Sequence, residues 1–400
     1  MRDVLNILAP TRYPWLFNSP KHSTHNISIR NFLPFNYIHS SIEGVTIFNP
    51  FPLRKFDLIH AFNRIPIGVT PFVIGYESHL PRVFGREDWK IFAILSRMLA
   101  NQKCRKIVAI SQIARRQFLH QHAGKPWLDD IAPKLTVRYP NILIPPESDG
   151  FAVSEGEPVR LVFVGNHFVR KGGLVALRVA QLADQLDFPL TVDIVSALQA
   201  SGSSWIGPTR PEFFEEYRRL LDTLPNVTSH GSLPNAAVLD LIGRSHFLLL
   251  ATFSDTFGYS AIEAMARYTP VIATDIGALP EFVEDQVNGI LLSLDKNDMG
   301  EWKYEGSTDR HLPAYEAMFR DEVERLAGDL LKKIQACVQN PSIYGSMRAK
   351  ARSTAETLFA PGDAQRYWDE LYREAVADCP QAPSGAQRRI QLQSRQGPPV

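Results

Sequence analysis

The stretch that decides the fold is residues 247–292, FLLLATFSDTFGYSAIEAMARYTPVIATDIGALPEFVEDQVNGILL, which reads as strand, loop, helix, strand, loop, short helix and strand. The apolar run at its start is short and bounded, as is typical of a buried parallel strand. A helix is predicted from about Gly258, where unpaired backbone NH groups and the helix dipole favour an anion. Asp255 lies in the loop before this helix, and Glu263 lies on the helix. This order predicts a site for an elongated anionic ligand, although strand, loop, helix is also the ordinary unit of a doubly wound domain.

A second strand-to-helix turn carries cations. Residues 159–165, VRLVFVG, predict a strong strand, and a Gly-rich turn follows before a helix from Leu174. Such a turn favours a diphosphate, because the helix start supplies NH groups and Lys171 supplies a positive charge. The turn matches neither the dinucleotide GxGxxG pattern nor a P-loop. Its candidate ligand-binding residues are Gly165, Asn166, Arg170, Lys171 and Gly172.

Length and composition bound the class of protein. A chain of 400 residues favours two domains, and 44% hydrophobic residues suffice for their cores. The three cysteines, Cys104, Cys337 and Cys379, have no metal-ligand spacing and favour a reducing compartment over a disulfide framework. The start of the chain does not read as a signal peptide, and no 18-residue apolar run occurs. We therefore expect a cytoplasmic protein, which could also associate with the cytoplasmic face of a membrane.

The residues around both turns resemble glycosyltransferase family 4, the retaining GT-B nucleotide-sugar enzymes. Lys171 and Gly172 match the end of that family's G-R-x4-K-G segment. The sequence departs from the family at Asn166, where Arg is common, at Asp255, where Glu is commoner, and at residues 11–15, where many members carry a glycine pair. The resemblance is loose over residues 57–376 and close over 159–292. In the key stretch it rests on a carboxylate-x7-carboxylate pattern with its neighbours, namely Asp255, Phe257, Gly258, Glu263, Ala264, Met265, Ala266, Pro270, Val271, Ile272, Ala273, Glu281, Asn288 and Gly289.

The resemblance implies an α/β GT-B fold, in which two Rossmann-like doubly wound domains face a central cleft. It also implies transfer of a hexose from a nucleoside diphosphate sugar with retention, without a metal or other cofactor. Lys171 and the helix starts would then replace a cation, Asp255 would bind the donor sugar, and Glu263 would bind the ribose. The implied donor-binding residues are Gly165, Asn166, Arg170, Lys171, Gly172, Gly231, Leu233, Asp255, Thr256, Phe257, Gly258, Tyr259 and Glu263.

Two further catalytic candidates, besides Lys171 and Asp255, lie in the first domain. Residues 57–61 and 71–76 predict two parallel strands, and residues 76–82 form the loop after the second. Because ligands of open α/β sheets bind at the carboxyl ends of the strands, Glu77 and His79 are candidates for contacts to the transferred sugar or the acceptor hydroxyl. The alternative is a solvated loop with a chance histidine.

Charge is distributed unevenly along the chain. Residues 1–150 hold 19 Lys and Arg against 10 Asp and Glu, although the whole chain has a net charge of only +1. The basic part could face anionic lipid or an anionic acceptor. Residues 87–100 combine a helical apolar pattern with nearby cations, which indicates either a packed helix with a solvated rim or a surface that lies on a membrane. Aromatics do not interleave with a basic stripe, so nucleic acid is not an expected partner.

The predicted organisation has five parts: an acceptor-side domain (1–145), a linker (146–158), a nucleotide-sugar domain (159–355), a helix that crosses back to the first domain (356–378) and a disordered tail (379–400). The preferred interpretation is transfer to a glycan or lipid-linked acceptor, in surface polysaccharide or glycolipid synthesis. One alternative is a GT-B nucleotide-sugar 2-epimerase, which needs no acceptor. The other is a degenerate protein that binds nucleotide sugars without catalysis.

Overall fold

The computed structural model describes residues 4–11, 13–35, 43–48, 55–83, 85–146, 157–199 and 205–377. Arg12, most of the predicted linker and the whole predicted tail lie outside these ranges. Two six-stranded parallel sheets form the framework, one near each end of the chain. One buried cluster runs continuously from the first sheet to the second, and each sheet has a further cluster on its other face. A carboxyl-terminal helix connects the second domain back to the first.

The first sheet confirms the two strands predicted at residues 57–61 and 71–76, which pair in parallel with each other. Both are buried along their whole length, as expected for central strands covered on two faces. The strand order in space is β2-β1-β5-β7-β8-β9. These strands are β1 (Asn6–Pro10), β2 (Asn26–Arg30), β5 (Leu58–Phe62), β7 (Phe72–Tyr76), β8 (Cys104–Ala109) and β9 (Leu135–Val137).

A small three-stranded sheet accompanies the first sheet, in the order β3-β4-β6. Its strands are β3 (Phe32–Pro34), β4 (Val45–Phe48) and β6 (Ile65–Ile67). A short helix occupies the segment after β1, where the resembled family commonly carries two glycines. The helices of this domain are α1 (Tyr13–Phe17), α2 (Lys90–Ala100), α3 (Gln112–Gln121) and α4 (Leu128–Ile131).

The second sheet contains the key stretch as its strands β13, β14 and β15, and its order is β12-β11-β10-β13-β14-β15. All neighbouring strands are parallel. The strands are β10 (Val159–Val164), β11 (Leu190–Val195), β12 (Val227–Gly231), β13 (Phe247–Leu250), β14 (Val271–Thr274) and β15 (Gly289–Leu292). The helices are α5 (Gly173–Gln185), α6 (Glu215–Thr223), α7 (Asn235–Gly243), α8 (Tyr259–Met265), α9 (Pro313–Val338) and α10 (Pro341–Phe359).

The last helix, α11 (Pro361–Ala377), packs on the first sheet. It starts at Pro361 rather than at 356, because α10 continues to Phe359. Trp368 and Tyr372 are buried against residues of the first sheet. The Asp369 carboxylate accepts hydrogen bonds from Ser23 Oγ (2.6 Å) and from the Thr24 backbone NH (3.0 Å). Within the described ranges, no helix has the length and apolar character needed to cross a bilayer.

Candidate functional site

The turn between β10 and α5 depends on glycine. Gly172 has φ 90° and precedes the first residue of α5. A Cβ at Gly172 would lie 2.1 Å from the carbonyl oxygen of Ala251, at the end of β13, so no other residue fits there without a shift of backbone. A Cβ at Gly165 would lie 3.0 Å from Cγ of Lys171. The two glycines therefore let the turn pass close to the neighbouring strand and make room for the Lys171 side chain.

Lys171 and Asp255 form a largely buried ion pair that joins the two predicted strand-to-helix turns. Burial lowers the pKa of the Lys171 ammonium, and the charge of Asp255 opposes that effect. Burial alone would raise the pKa of the Asp255 carboxyl, but the charges of Lys171 and Arg170 lower it below its ordinary value. The structure thus brings together the cation and the first carboxylate that the sequence singled out.

Arg170 connects the same two turns. Its Nη1 donates a hydrogen bond to the backbone carbonyl of Ser254 (2.6 Å), and its guanidinium lies 5.6 Å from the ring centre of Trp205. The backbone NH of Phe253 donates to the carbonyl of Arg170 (2.9 Å). Both cations of the turn therefore lie close to the loop that carries Asp255.

Asn166, where the resembled family commonly has Arg, contacts the loop after β11. Its Oδ1 accepts a hydrogen bond from the backbone NH of Ala197 (3.3 Å), which holds the loop after β11 against the turn. Ser196 lies in the same loop, and its Oγ donates to the carbonyl of Gly165 (2.7 Å), while its NH donates to the carbonyl of Gly231 (2.9 Å). Gly231 thus lies at the same sheet edge as the turn. Leu233 follows two residues later and is half-buried.

The loop after β13 leads into α8 through Gly258, which has φ 89°. Helix α8 begins at Tyr259, one residue after the predicted start. The Phe257 ring is fully buried, and its backbone NH donates to Asp255 Oδ1 (3.4 Å), so this predicted donor for a ligand is already used by the carboxylate. Thr256 is exposed in the cleft.

Glu263 lies on α8, half-buried, as predicted. Burial raises the pKa of its carboxyl to about 7, against the charges of Arg267 and Lys21. Lys21 belongs to the first domain, and its Nζ donates to the Leu16 carbonyl (2.6 Å). The sequence did not indicate Lys21, because only the approach of the two domains brings it near Glu263.

Glu77 lies on the opposite wall of the cleft. Its carboxylate accepts a hydrogen bond from Asn63 Nδ2 (2.9 Å), and its backbone NH donates to Asn63 Oδ1 (3.0 Å). Across the cleft, the Tyr259 hydroxyl lies 3.5 Å from Glu77 Oε1, and it accepts a hydrogen bond from Asn18 Nδ2 (3.1 Å). The charge of Glu77, like that of Asp255, opposes the lowering of the Lys171 pKa by burial. Glu77 is therefore held in place by its own domain and faces the ion pair of the other.

His79 lines a cavity of about 880 Å³ between the domains, together with Asp255 and Thr256. This volume is within the range of small-molecule sites. Burial lowers the pKa of the His79 imidazole, and the nearby carboxylates of Glu301 and Glu87 oppose the effect.

Several residues that line this cavity were not singled out by the sequence analysis, and Trp205, Glu301 and Glu305 are among them. Glu305 accepts hydrogen bonds from Trp205 Nε1 (2.7 Å) and Ser254 Oγ (2.8 Å), and burial raises the pKa of its carboxyl to about 7. Both glutamates belong to residues 295–320, a polar stretch without periodicity. The one available signal was Trp302 between them, an aromatic residue in a polar segment that is fully buried in the structure.

Comparison with known proteins identifies the second domain. Residues 158–302 match the family model of the glycosyl transferases group 1. The D-inositol 3-phosphate glycosyltransferase of Corynebacterium kroppenstedtii is 31% identical over 144 residues, which are 36% of this chain and 30% of that protein. The enzyme of the same name from Mycolicibacterium smegmatis is 31% identical over 108 residues, 27% of this chain and 24% of that protein. The chain thus spans less than a third of the length of these two relatives.

Solved structures match the whole architecture. HepE of Anabaena in complex with UDP superposes with a TM-score of 0.57 at 14% identity, covering 93% of this chain and 100% of that one. A glycosyltransferase from Rickettsia africae superposes with a TM-score of 0.57 at 15% identity, covering 94% and 100%. At such identities the likeness concerns the fold. Residues 158–302 are therefore similar to the glycosyl transferases group 1, and the chain as a whole has the GT-B fold of two Rossmann-like domains.

Proposed function

We propose that the protein is a retaining glycosyltransferase of family 4 that transfers a hexose from a nucleoside diphosphate sugar to a glycan or lipid-linked acceptor, in the synthesis of a surface polysaccharide or glycolipid. The observation that carries the proposal is the largely buried pair of Lys171 and Asp255, at the point where two strand-to-helix turns meet the cleft. A cation beside the start of a 13-residue helix suits a diphosphate, and the adjoining carboxylate suits sugar hydroxyls.

The pair gives the donor a site that is preorganised for departure of the diphosphate. While no donor is bound, the ammonium of Lys171 and the carboxylate of Asp255 satisfy each other. The donor then offers each a second partner: a phosphate oxygen for Lys171 and a sugar hydroxyl for Asp255. Negative charge accumulates on the diphosphate as the glycosidic bond breaks, so a fixed cation there stabilises the transition state more than the ground state.

The acceptor hydroxyl attacks from the face that the diphosphate leaves, and the leaving phosphate oxygen takes its proton. Glu77 and His79 contact the transferred sugar or the acceptor hydroxyl from the first domain. Glu263 binds the ribose, and the segment around Gly231 and Leu233 frames the base. In this scheme Lys171 and the start of α5 neutralise the diphosphate, so we expect no requirement for a divalent cation.

Thermal stabilisation by nucleotides tests the donor site. UDP, GDP, ADP and their common sugar conjugates are added without metal and with EDTA, UDP first because HepE binds it. A ligand at 100 times its Kd adds about 2.7 kcal/mol to the stability of the domain that it binds. We expect one nucleotide to stabilise wild type and to lose this effect in Lys171→Ala. The matched control is Lys332→Ala, which removes an exposed lysine from α9.

Turnover tests the catalytic role of the same lysine. Removal of one preorganised donor to a developing charge typically costs about 100- to 1,000-fold in rate. We therefore expect Lys171→Ala to lose at least that much activity while it remains folded, and near-normal turnover would exclude the assignment. Retention is read from the anomeric configuration of the product by NMR. Conversion of the donor without any acceptor would instead favour an epimerase.

We also propose peripheral contact with an anionic membrane through α2. Trp89 and Ile94 are 45% and 52% exposed, whereas Phe92, Leu95 and Leu99 on the other face are buried. The Arg86 guanidinium lies 4.6 Å from the ring centre of Trp89, and Lys90 and Arg97 are on the same helix. Exposed apolar side chains beside cations are typical of surfaces that lie in a lipid interface. The fraction of protein that sediments with phosphatidylglycerol vesicles should be lower for a Trp89→Ala, Ile94→Ser double variant than for wild type, and should also fall at high salt. Equal sedimentation of the double variant and wild type would contradict the membrane contact.

A further inference from the structure

We propose that the cavity between the domains binds the acceptor, and that the part of the acceptor bound there is an uncharged sugar ring rather than a phosphate or a carboxylate. This inference rests on the proposed glycosyltransferase function. It adds the chemical class of the second substrate, which the resemblance to known enzymes leaves open.

The position of the cavity suits an acceptor. Asp255 and Thr256, from the loop proposed to hold the donor sugar, form part of its wall. Ser78 and His79, from the loop after β7, form part of the opposite wall. A molecule in this space therefore lies between the first domain and the proposed reacting centre, and about 880 Å³ is enough for more than one sugar ring.

The charges around the cavity disfavour an anion. Five carboxylates line it, from Glu43, Glu87, Asp255, Glu301 and Glu305. The lining includes one guanidinium, that of Arg82, and it is already engaged by Glu43 (3.6 Å) and Glu77 (3.5 Å). Asp255 is paired with Lys171, Glu43 is paired with Arg82, and burial raises the pKa of Glu305 to about 7. At neutral pH a phosphate in this space would therefore be repelled chiefly by the charges of Glu87 and Glu301. Repulsion between like charges at short range makes the binding free energy less favourable.

Two of these carboxylates have neutral hydrogen-bond donors beside them. Gln117 Nε2 donates to Glu301 Oε1 (2.6 Å), and Gln121 Nε2 donates to Glu87 Oε1 (3.3 Å). Ionised carboxylates are acceptors only, and their bonds from hydroxyl groups are among the stronger neutral-ligand contacts. Sugar hydroxyls are donors of this kind.

The remaining walls suit the apolar faces of a sugar ring. Trp205 is 50% exposed and lines the cavity. Ile113 and Ile276 also belong to its wall, although both residues are buried. A sugar ring presents hydroxyls at its edge and C–H groups on its faces, so it matches acids and apolar surface at once. Among the described residues, no three His, Cys, Asp or Glu side chains are grouped closely enough to hold a metal ion together.

The cavity does not follow the expectation that the basic first part of the chain faces an anionic acceptor. Apart from Arg82, the lysines and arginines of the described first domain do not line it. Those of α2, Lys90 and Arg97, lie on a helix whose exposed side faces away from the core. These two cations of α2 therefore do not contribute to the proposed acceptor site.

The test compares neutral acceptors with their phosphorylated forms, using the donor found by thermal stabilisation. The rate of nucleoside diphosphate release is measured with methyl glucoside, galactoside, mannoside and N-acetylglucosaminide, and with the 6-phosphate of each. We expect at least one neutral glycoside to stimulate release, with a kcat/KM about tenfold or more above that of its phosphate. Preference for a phosphate, or no stimulation by any neutral glycoside, would each overturn the inference.

Two variants link the preference to the cavity. Glu301→Gln and Glu87→Gln keep an acceptor oxygen for the neighbouring glutamine but remove a charge. The ratio of kcat/KM for the neutral acceptor to kcat/KM for its phosphate should therefore fall several-fold. Glu284→Gln, an exposed position outside the cavity, is the control and should leave the ratio unchanged. An unchanged ratio in both cavity variants would also count against the inference. Absence of nucleotide binding would instead contradict the proposed function itself.

Discussion

Gly172 is subject to two independent constraints, a left-handed backbone and the carbonyl of Ala251 at 2.1 Å from the position of a Cβ. We expect Gly172→Ala to lower the free energy of unfolding by more than about 2 kcal/mol, because the backbone conformation alone costs about 1–2 kcal/mol. Gly328→Ala in α9 is the matched control, since its Cβ meets nothing within 4 Å and Ala favours a helix by up to about 1 kcal/mol. Urea titration measures both, and equal stability of Gly172→Ala and wild type would contradict the constraint.

Glu263 should make nucleotide affinity depend on pH. Burial raises the pKa of its carboxyl to about 7, so in the folded protein it is mostly protonated at pH 6 and mostly ionised at pH 8. Ribose hydroxyls donate more strongly to a carboxylate than to a carboxylic acid. We therefore expect the affinity for the selected nucleoside diphosphate to rise from pH 6 to pH 8, measured by calorimetry.

Glu263→Gln should remove this rise and leave only the part that comes from ionisation of the phosphate. The same carboxyl has a consequence for stability. Its pKa is raised relative to the unfolded chain, so its contribution to stability is present below pH 4.5 and is lost as the pH rises through about 7. If the affinity for the nucleotide changed equally with pH in wild type and in Glu263→Gln, Glu263 would not titrate in the proposed nucleotide site.

At the scale of elements, α3 is capped across the cleft. The Glu281 carboxylate, from the second domain, accepts hydrogen bonds from the backbone NH groups of Gln112 (2.8 Å) and Ile113 (2.7 Å). The next NH, that of Ala114, donates to Ser111 Oγ of the first domain (3.1 Å). A negative charge at a helix start is favourable, and loss of a capping group typically costs about 1 kcal/mol. The first turn of α3 therefore contributes to holding the two domains together.

We expect Glu281→Ala to expose this turn. Hydrogen exchange followed by mass spectrometry should show faster exchange in peptides that contain residues 112–113, because both amides lose their acceptor. Glu284→Ala, an exposed carboxylate on the same loop, is the control and should leave those peptides unchanged. If the two variants exchanged alike, the capping contact would not persist in solution.

The elements differ in how far the sequence could predict them. Lys171 and Asp255 were predictable because each follows a short apolar strand, and the carboxyl ends of parallel strands meet at one edge of a sheet. Trp205, Glu301 and Glu305 were not, because they lie in loops whose composition carries no period and whose position depends on distant contacts. The role of Asn166 was missed for the same reason, since its partner Ala197 belongs to another loop.

At the scale of the whole molecule, the return of the last helix to the first domain should couple the stability of the two halves. The family resemblance and the aromatic residues near 368 predicted this helix, but they did not show which side chains it would cover. Trp368 is buried, with its ring centre 4.4 Å from that of His60 in β5, and Asp369 binds the segment before β2. The proposed nucleotide site lies in the other domain, so binding of a nucleotide reports on that half of the molecule.

Trp368→Ala should destabilise the first domain by about 3–5 kcal/mol, the usual cost of removing a large buried aromatic side chain. Trp89→Ala is the control, because Trp89 is 45% exposed and a surface change of this kind costs within about 0.5 kcal/mol. In calorimetry, Trp368→Ala should show two unfolding transitions. The first domain should unfold at the lower temperature, and the nucleotide should not shift this transition. The second domain should unfold at the higher temperature, and the nucleotide should raise that temperature further. If the nucleotide shifted both transitions equally, the cleft contacts of Glu281 and Tyr259, rather than α11 alone, would couple the domains strongly enough for them to unfold as one unit.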